Sequence, residues 1–324
     1  MSEKLAAAGA QPHADVAGNV VARFGPGDGP AAIVTAHLDT VFAADTPLHP
    51  VRDGDVLRGP GIGDDSLALA ALVHLARRLA ARPPDHPVVL AATVGEEGLG
   101  DLRGAHALLD ACPCDAFVAL EGHGLDTIQT AGIASTRLIA RATSPGGHSW
   151  GDRDTPSAVH ALVGGLHAAL EAARGGHCNV GVIRGGTSIN SIAAHAEAEL
   201  DLRDPDDATL DERAGAVRAA LERHGVAVER VGRRPGGATP ADHPLLRAAR
   251  DARRSAGLPP AEENASSTDA NAALGRGIAA VSVSLTRGAH AHRLDEHVEL
   301  GPLPRGLAAV EALVDRLADG SAVR

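Results

Sequence analysis

Apolar runs and helix-period stretches alternate along the chain up to Gly132. Ala32-Ile33-Val34-Thr35 is short, apolar and β-branched, the pattern of a buried strand. Leu67 to Ala81 places Leu69, Leu72, Val73, Ala76 and Leu79 at helical spacing, with Asp64, Asp65 or Ser66 ahead of it as candidate caps. Pro83-Pro84 interrupts the chain. Val88 to Val94 then reads as a second buried strand and Ala116 to Leu120 as a third. Strand, helix, strand in this order predicts an α/β fold: a central parallel or mixed sheet flanked by helices.

The pattern changes near Gly132. Thr136 to Ala142 alternates like a half-buried strand and Ser157 to Ala173 is helical. Strand-like runs follow at Cys178 to Ile183 and Ala194 to Leu202, then a helix from Leu210 to His224. This β-α-β-β-α succession has the length of a small inserted α+β domain. The expected organisation is a first domain of residues 1–132 and 236–324, interrupted by a second of residues 133–235. After Arg233 to Gly237, helices behind Pro244 and Asp269, a strand at Ile278 to Leu285 and a last helix from Pro304 complete the first domain. No internal repeat or low-complexity tract is visible.

Composition narrows the function. The 324 residues are 44% hydrophobic but only 1% aromatic, so the core is aliphatic and a base- or sugar-stacking face is not expected. A net charge of -11 argues against nucleic acid or an anionic membrane as partner. The start lacks a signal-peptide run, no stretch reaches membrane-span length, and Cys112 and Cys114 read as reduced structural thiols; a cytoplasmic location is the expectation.

Four apolar runs lead directly into metal-type ligands. Ile33-Val34-Thr35 leads to His37 and Asp39, Val88 to Val94 to Glu96-Glu97, Phe117 to Leu120 to Glu121, and the last strand to His290, His292 and Glu296. The carboxyl ends of strands line the ligand crevice of open α/β sheets, so these segments are expected to converge. Asp64, behind the glycine-rich Gly59 to Gly63, joins them. Two imidazoles and three carboxylates (His37, Asp64, Glu97, Glu121 and His292) suit zinc, with manganese or cobalt as substitutes. A carboxylate shared by two ions makes a two-metal hydrolase, in which Glu96 is the candidate general base and Asp39 the residue that orients His37. His123 or Asp126 competes with Glu121, and His290 with His292. Thr268 to Asn271 reads equally as pocket lining or as a helix N-cap.

Together, His37-Leu38-Asp39-Thr40-Val41, Gly59 to Asp65, Glu96-Glu97-Gly98, Gly146-Gly147-His148-Ser149 and His292 with Glu296 resemble the M20 metallopeptidases. These include aminoacylases, carboxypeptidase G-type enzymes, desuccinylases and peptidase T-like aminopeptidases. The resemblance implies two zinc ions, one held by His37 and Glu121, the other by Glu97 and His292, with Asp64 between them. It implies that the inserted domain is a lid and dimer interface, that His148 stabilises an oxyanion in the other subunit's site, and that Asn190 and Arg203 grip a substrate carboxylate. The implied reaction is cleavage of an amide bond in an N-acyl amino acid or short peptide. Ser66-Leu67 departs from the Lys-Gly common there, and Glu121 stands where carboxypeptidase G-like and peptidase T-like members more often carry Asp. A non-catalytic descendant binding a small molecule or protein is the competing reading, and metal content separates the two.

Overall fold

In the computed structural model, described for residues 1–323, the chain forms two compact units. One comprises residues 1–132 and 237 onward, the other residues 133–236.

The first unit begins with β1 (Val20–Phe24), β2 (Ala31–His37), α1 (Leu67–Ala81), β3 (Val88–Thr93), α2 (Arg103–Ala111), β4 (Cys114–His123) and β5 (Thr127–Gly132). The inserted unit contributes β6 (Ala134–Thr143), β7 (Gly147–His148), α3 (Ala158–Ala172), β8 (His177–Gly185), β9 (Ser191–Ile192), β10 (His195–Asp204), α4 (Asp207–Glu222) and β11 (Ala227–Arg234). The chain then returns to the first unit with α5 (Pro244–Ser255), α6 (Ala270–Leu274), β12 (Ala280–Thr286) and α7 (Leu303–Ala318).

The first unit is built on a nine-stranded mixed sheet whose central order is β1-β3-β2-β4-β12-β5. The middle four strands, β3, β2, β4 and β12, run parallel, while β1 and β5 join antiparallel. Parallel strands covered on both faces are apolar throughout, because every side chain enters one core or the other. Along β2, Ala32, Val34 and Ala36 face the core built with Leu72, Leu75, Leu313 and Leu317, while Ala31 and Ile33 face a second core with Leu108 and Ala273. The inserted unit follows the other rule. Its four-stranded antiparallel sheet, order β8-β10-β6-β11, packs Leu138, Ala140, Ala198, Leu200 and Leu202 against α3 and α4. Its other face carries cross-strand ion pairs, Arg141 to Glu197 at 2.8 Å and Arg184 to Glu199 at 2.8 Å.

Helix α1 has the bounds its periodicity predicts, but not its cap. Ser66 makes no side-chain capping bond, and a tight irregular turn, Ile62–Ser66, precedes the helix. Strands β1, β5 and β11 are absent from the sequence expectation. β5 and β11 are mixed in polarity, and pairing with their neighbours defines them more than any apolar run does. No helix among the described residues is long and apolar enough to cross a membrane.

Candidate metal centre

The four central parallel strands deliver their ends to one edge of the sheet. His37 is the last residue of β2, Glu121 lies near the end of β4, Glu96-Glu97 follow β3, and His292 follows β12. The turn Ile62–Ser66, which carries Asp64, packs on the end of β4. There is no room for a side chain at that contact: a Cβ on Gly122 would lie 2.1 Å from the Gly63 carbonyl oxygen.

The ligand atoms form two triads that share Asp64, one of His37, Asp64 and Glu121 and the other of Asp64, Glu97 and His292. Within each triad the ligand atoms lie within 4.8 Å of one another. His37 Nε2 is 2.9 Å from Asp64 Oδ1, and His292 Nε2 is 3.1 Å from Asp64 Oδ2 and 3.2 Å from Glu97 Oε1. Each carboxylate oxygen of Asp64 thus faces a different imidazole. Glu96 is buried and groups with His37 and Glu97. Of the competing residues, Asp126 is held by Arg287 at 2.7 Å on the surface, and His290 pairs with Asp295 at 3.0 Å. His123 lies 3.8 Å from Glu296 and belongs to none of the triads.

The electrostatics suit cations. Burial, with the nearby Asp64 and Glu96 charges, pushes Glu97 up to about 7. Burial likewise holds Glu121 and Asp65 well above the carboxylate range, each aggravated by neighbouring acids. Burial opposes charge on His37 too, yet the Asp64 hydrogen bond and the surrounding carboxylates raise its pKa well above the usual value. Asp64 is held low despite its burial, by its hydrogen bond to His37. A buried cluster of acids crowded around two imidazoles is what two divalent cations would neutralise, and the oxygen and nitrogen donor set fits zinc.

Backbone anchors hold these ligands. His37 Nδ1 bonds the Asp39 backbone carbonyl at 2.9 Å, so Nε2 is the free ligand atom. Asp39, the residue expected to orient that ring, meets it through its main chain. The carboxylate instead accepts the N–H groups of Gly95, Glu96 and Glu97 at 2.8, 3.2 and 2.9 Å, which sets the turn bearing Glu96 and Glu97. Two residues named within the motifs make anchoring contacts that the sequence did not indicate. Asp65, joined to Asp64 by a cis peptide, accepts the His37 N–H at 3.0 Å. Glu296, fully buried, accepts the N–H groups of Gly61, Gly63 and Asp64. Their only sequence signal was their place in the motifs. Asp269 makes no side-chain cap to α6; it accepts from Thr93 Oγ1 at 2.6 Å.

The remaining predicted residues lie in the inserted unit. The His148 and Asn190 segments form one tip: β7 pairs with β9, and Ser149 donates to the Asn190 carbonyl at 2.9 Å. His148 Nδ1 accepts the N–H groups of Trp150 and Gly151 at 3.3 and 3.2 Å, so in the neutral ring Nε2 carries the proton. Arg203 is not with them. It sits near the other end of β10, bonded to Asp201 at 2.8 Å.

The family model described as peptidase family M20/M25/M40 matches residues 33–316. A probable carboxypeptidase of Aspergillus flavus is 26% identical over 229 residues, 61% of this chain and 55% of its own length. The chain thus spans about half the length of the curated relatives it matches. Two solved structures share the fold across 98% of this chain. One is a tripeptidase from Staphylococcus aureus, with TM-score 0.77, 20% identity and 91% of that chain covered. The other is an M20 family metallo-carboxypeptidase from Sulfolobus solfataricus, with TM-score 0.79, 14% identity and 92% covered. With the ligand motifs in order along the matched segment, the chain belongs to peptidase family M20/M25/M40.

Proposed function

We propose that this protein is a two-zinc hydrolase that cleaves the amide bond of a small substrate bearing a free carboxylate, an N-acyl amino acid or a short peptide. The observation that carries this reading is the pair of ligand triads joined through Asp64, with Glu96 buried beside them. His37, Asp64 and Glu121 would hold one ion and Asp64, Glu97 and His292 the other. Bound there, zinc supplies Lewis acidity and a water acidic enough to attack near neutral pH.

The chain's own residues do the rest. The Glu96 carboxylate takes the proton of the attacking water and returns it to the leaving nitrogen. The Asp39 clasp on the N–H groups of residues 95–97 keeps that carboxylate in place. The Nε2–H of His148 is a donor for the carbonyl oxygen as negative charge develops on it. Arg203 offers a guanidinium fork, and Asn190 a side-chain amide, to the substrate carboxylate. The activities named for the similar proteins, a probable carboxypeptidase and a tripeptidase, accord with such substrates.

A homodimer through the inserted unit belongs to this reading. Arg203 lies eight positions from His195 on β10, roughly 27 Å at the rise of an extended strand, and the His148 tip extends from the His195 end. This separation favours a pair of copies, in which Arg203 of one chain and the His148–Asn190 tip of the other would meet one small substrate. The edge strand β8 and the exposed Val163, Leu170 and Ile183 offer a surface for that contact.

Glu96→Ala tests the core of the reading. Turnover of N-acyl amino acids and dipeptides should fall about 10²–10⁴-fold, the usual worth of a general base, while zinc content stays near two per chain. Retained activity in that variant, or a wild-type protein that takes up no zinc on reconstitution, would sink it.

A further inference from the structure

We propose that Glu296 is a positioning residue that builds the second cation position, the one formed by Asp64, Glu97 and His292. The proposal rests on the two-cation reading above and concerns how this chain makes its two positions unequal.

Glu296 is 0% exposed, yet no arginine or lysine ion-pairs with it among the described residues; the His123 imidazole lies 3.8 Å away. Its charge is met by backbone. Oε2 accepts the Gly61 N–H at 2.8 Å, and Oε1 accepts those of Gly63 and Asp64, each at 2.8 Å. Its own carbonyl accepts the Gly59 N–H at 2.9 Å. Both the side chain and the main chain of one residue therefore clasp the segment that ends in Asp64. The fit leaves no slack: a Cβ on Gly63 would lie 2.9 Å from Glu296 Oε1 and 2.5 Å from His123 Cδ2.

The same residue ends the loop that carries His292. That loop turns tightly, with Arg293 N–H on the His290 carbonyl at 3.0 Å and Glu296 N–H on the Arg293 carbonyl at 3.1 Å. His290 and His292 hold left-handed backbone, φ 68° and 66°, which a side chain adopts only when its surroundings impose it. The His292 side chain is 55% exposed, so packing does not fix it. The clasp at Glu296 ties the loop to the Asp64 segment, next to a short antiparallel ladder that pairs His297, Val298 and Glu299 with Arg58, Leu57 and Val56. Two of the three ligands of the second position thus depend on this residue.

The first position is anchored independently. His37 belongs to the β2 ladder, with Asp65 on its N–H and the Asp39 carbonyl on its ring, and Glu121 lies within β4. Only the shared Asp64 is common to both. Loss of the clasp should therefore act chiefly on the second position, two of whose ligands it holds, and reach the first only through Asp64.

Zinc titration of the metal-free protein against a chromophoric chelator, with metal content measured after dialysis, tests this. Glu296→Gln puts an amide N–H₂ against backbone donors. It should weaken the second zinc about 10–100-fold, the usual effect of losing a partner that orients ligands, and change the first by less than about threefold. Glu296→Asp, which keeps the charge but cannot reach all three donors, should show a smaller loss of the same kind. In a His292→Ala background, where the second position is already broken, Glu296→Gln should add nothing. Equal weakening of both zincs, or of neither, overturns the proposal. Hydrogen exchange on the wild-type protein gives a check that needs no variant: the Gly61, Gly63 and Asp64 amides should be protected before zinc is added, and fast exchange there overturns it too. A wild-type protein that binds only one zinc overturns the two-cation reading itself, and the wild-type titration alone reveals that case.

Discussion

At the scale of single residues, the site depends on carboxylates that do not bind metal as much as on those proposed to. The Asp39 side chain accepts three consecutive N–H groups, so Asp39→Ala leaves three donors without a partner in a half-buried turn. Each orphaned donor costs about 1–3 kcal/mol, enough to let the turn bearing Glu96 and Glu97 relax. The expected result is a fall in kcat of about 10–100-fold with little change in KM, measured by steady-state kinetics on the zinc-loaded protein. Charge crowding makes a second prediction. Burial raises Glu97 to about 7 in the metal-free protein, and His37 is also raised above its ordinary value. Both groups bind more protons folded than unfolded, so their contribution to stability is present at low pH and is lost as pH rises through these raised values. The metal-free protein should therefore melt at a lower temperature at pH 8 than at pH 5.5. Zinc must displace those protons, so its apparent affinity should weaken as pH falls below about 7, reversing the trend. Melting curves at the two pH values, with and without zinc, decide this. The motifs had already singled out His37, Asp64 and Glu97, and the structure brings them together. Which atom of Asp39 meets which partner was not legible, because side chain and carbonyl offer the same oxygen chemistry.

Secondary-structure elements set the geometry through close backbone approach. The Asp64 turn lies on β4 only because position 122 has no side chain, and the nearest obstacle to one is backbone. Gly122→Ala should push the turn away from the strand, destabilise the protein by about 1–3 kcal/mol and weaken zinc binding, read by thermal melts and metal titration. Gly63→Ala should do the same through His123 and Glu296. Element boundaries were legible where burial was complete: α1 follows its periodicity, and the central strands follow their apolar runs because both faces are covered. β5 and β11 were not, since their residues carry little apolar signal and pairing partners define them.

At the scale of the whole molecule, the proposed dimer makes a prediction that no single chain can satisfy. If His148 acts in its partner's site, a chain lacking Glu96 and a chain lacking His148 are each inactive as homodimers. Together they form heterodimers with one intact site. Co-expressed Glu96→Ala and His148→Ala chains should recover about a quarter of wild-type activity: half of random dimers are mixed, and each has one good site of two. No recovery despite subunit exchange would place His148 in its own chain's site. Mass measurement in solution should first show a dimer.

The sequence by itself determined the class of fold and the family of hydrolases to which the chain belongs. Apolar runs that end in His, Asp and Glu, alternating with helical stretches, fit buried parallel strands with candidate ligands at their carboxyl ends, and that local logic survives without coordinates. The division of the candidate ligands into two triads around Asp64 was implied by the resemblance, and tertiary structure supplied the distances that bring each triad together. It also decided that Asp65 and Glu296 serve as anchors, and that Arg203 lies at the opposite end of its sheet from His148 and Asn190. Those facts rest on contacts between segments far apart in the chain, Glu296 with Gly61 and Gly122 with Gly63. No periodicity or spacing along the sequence encodes such distances.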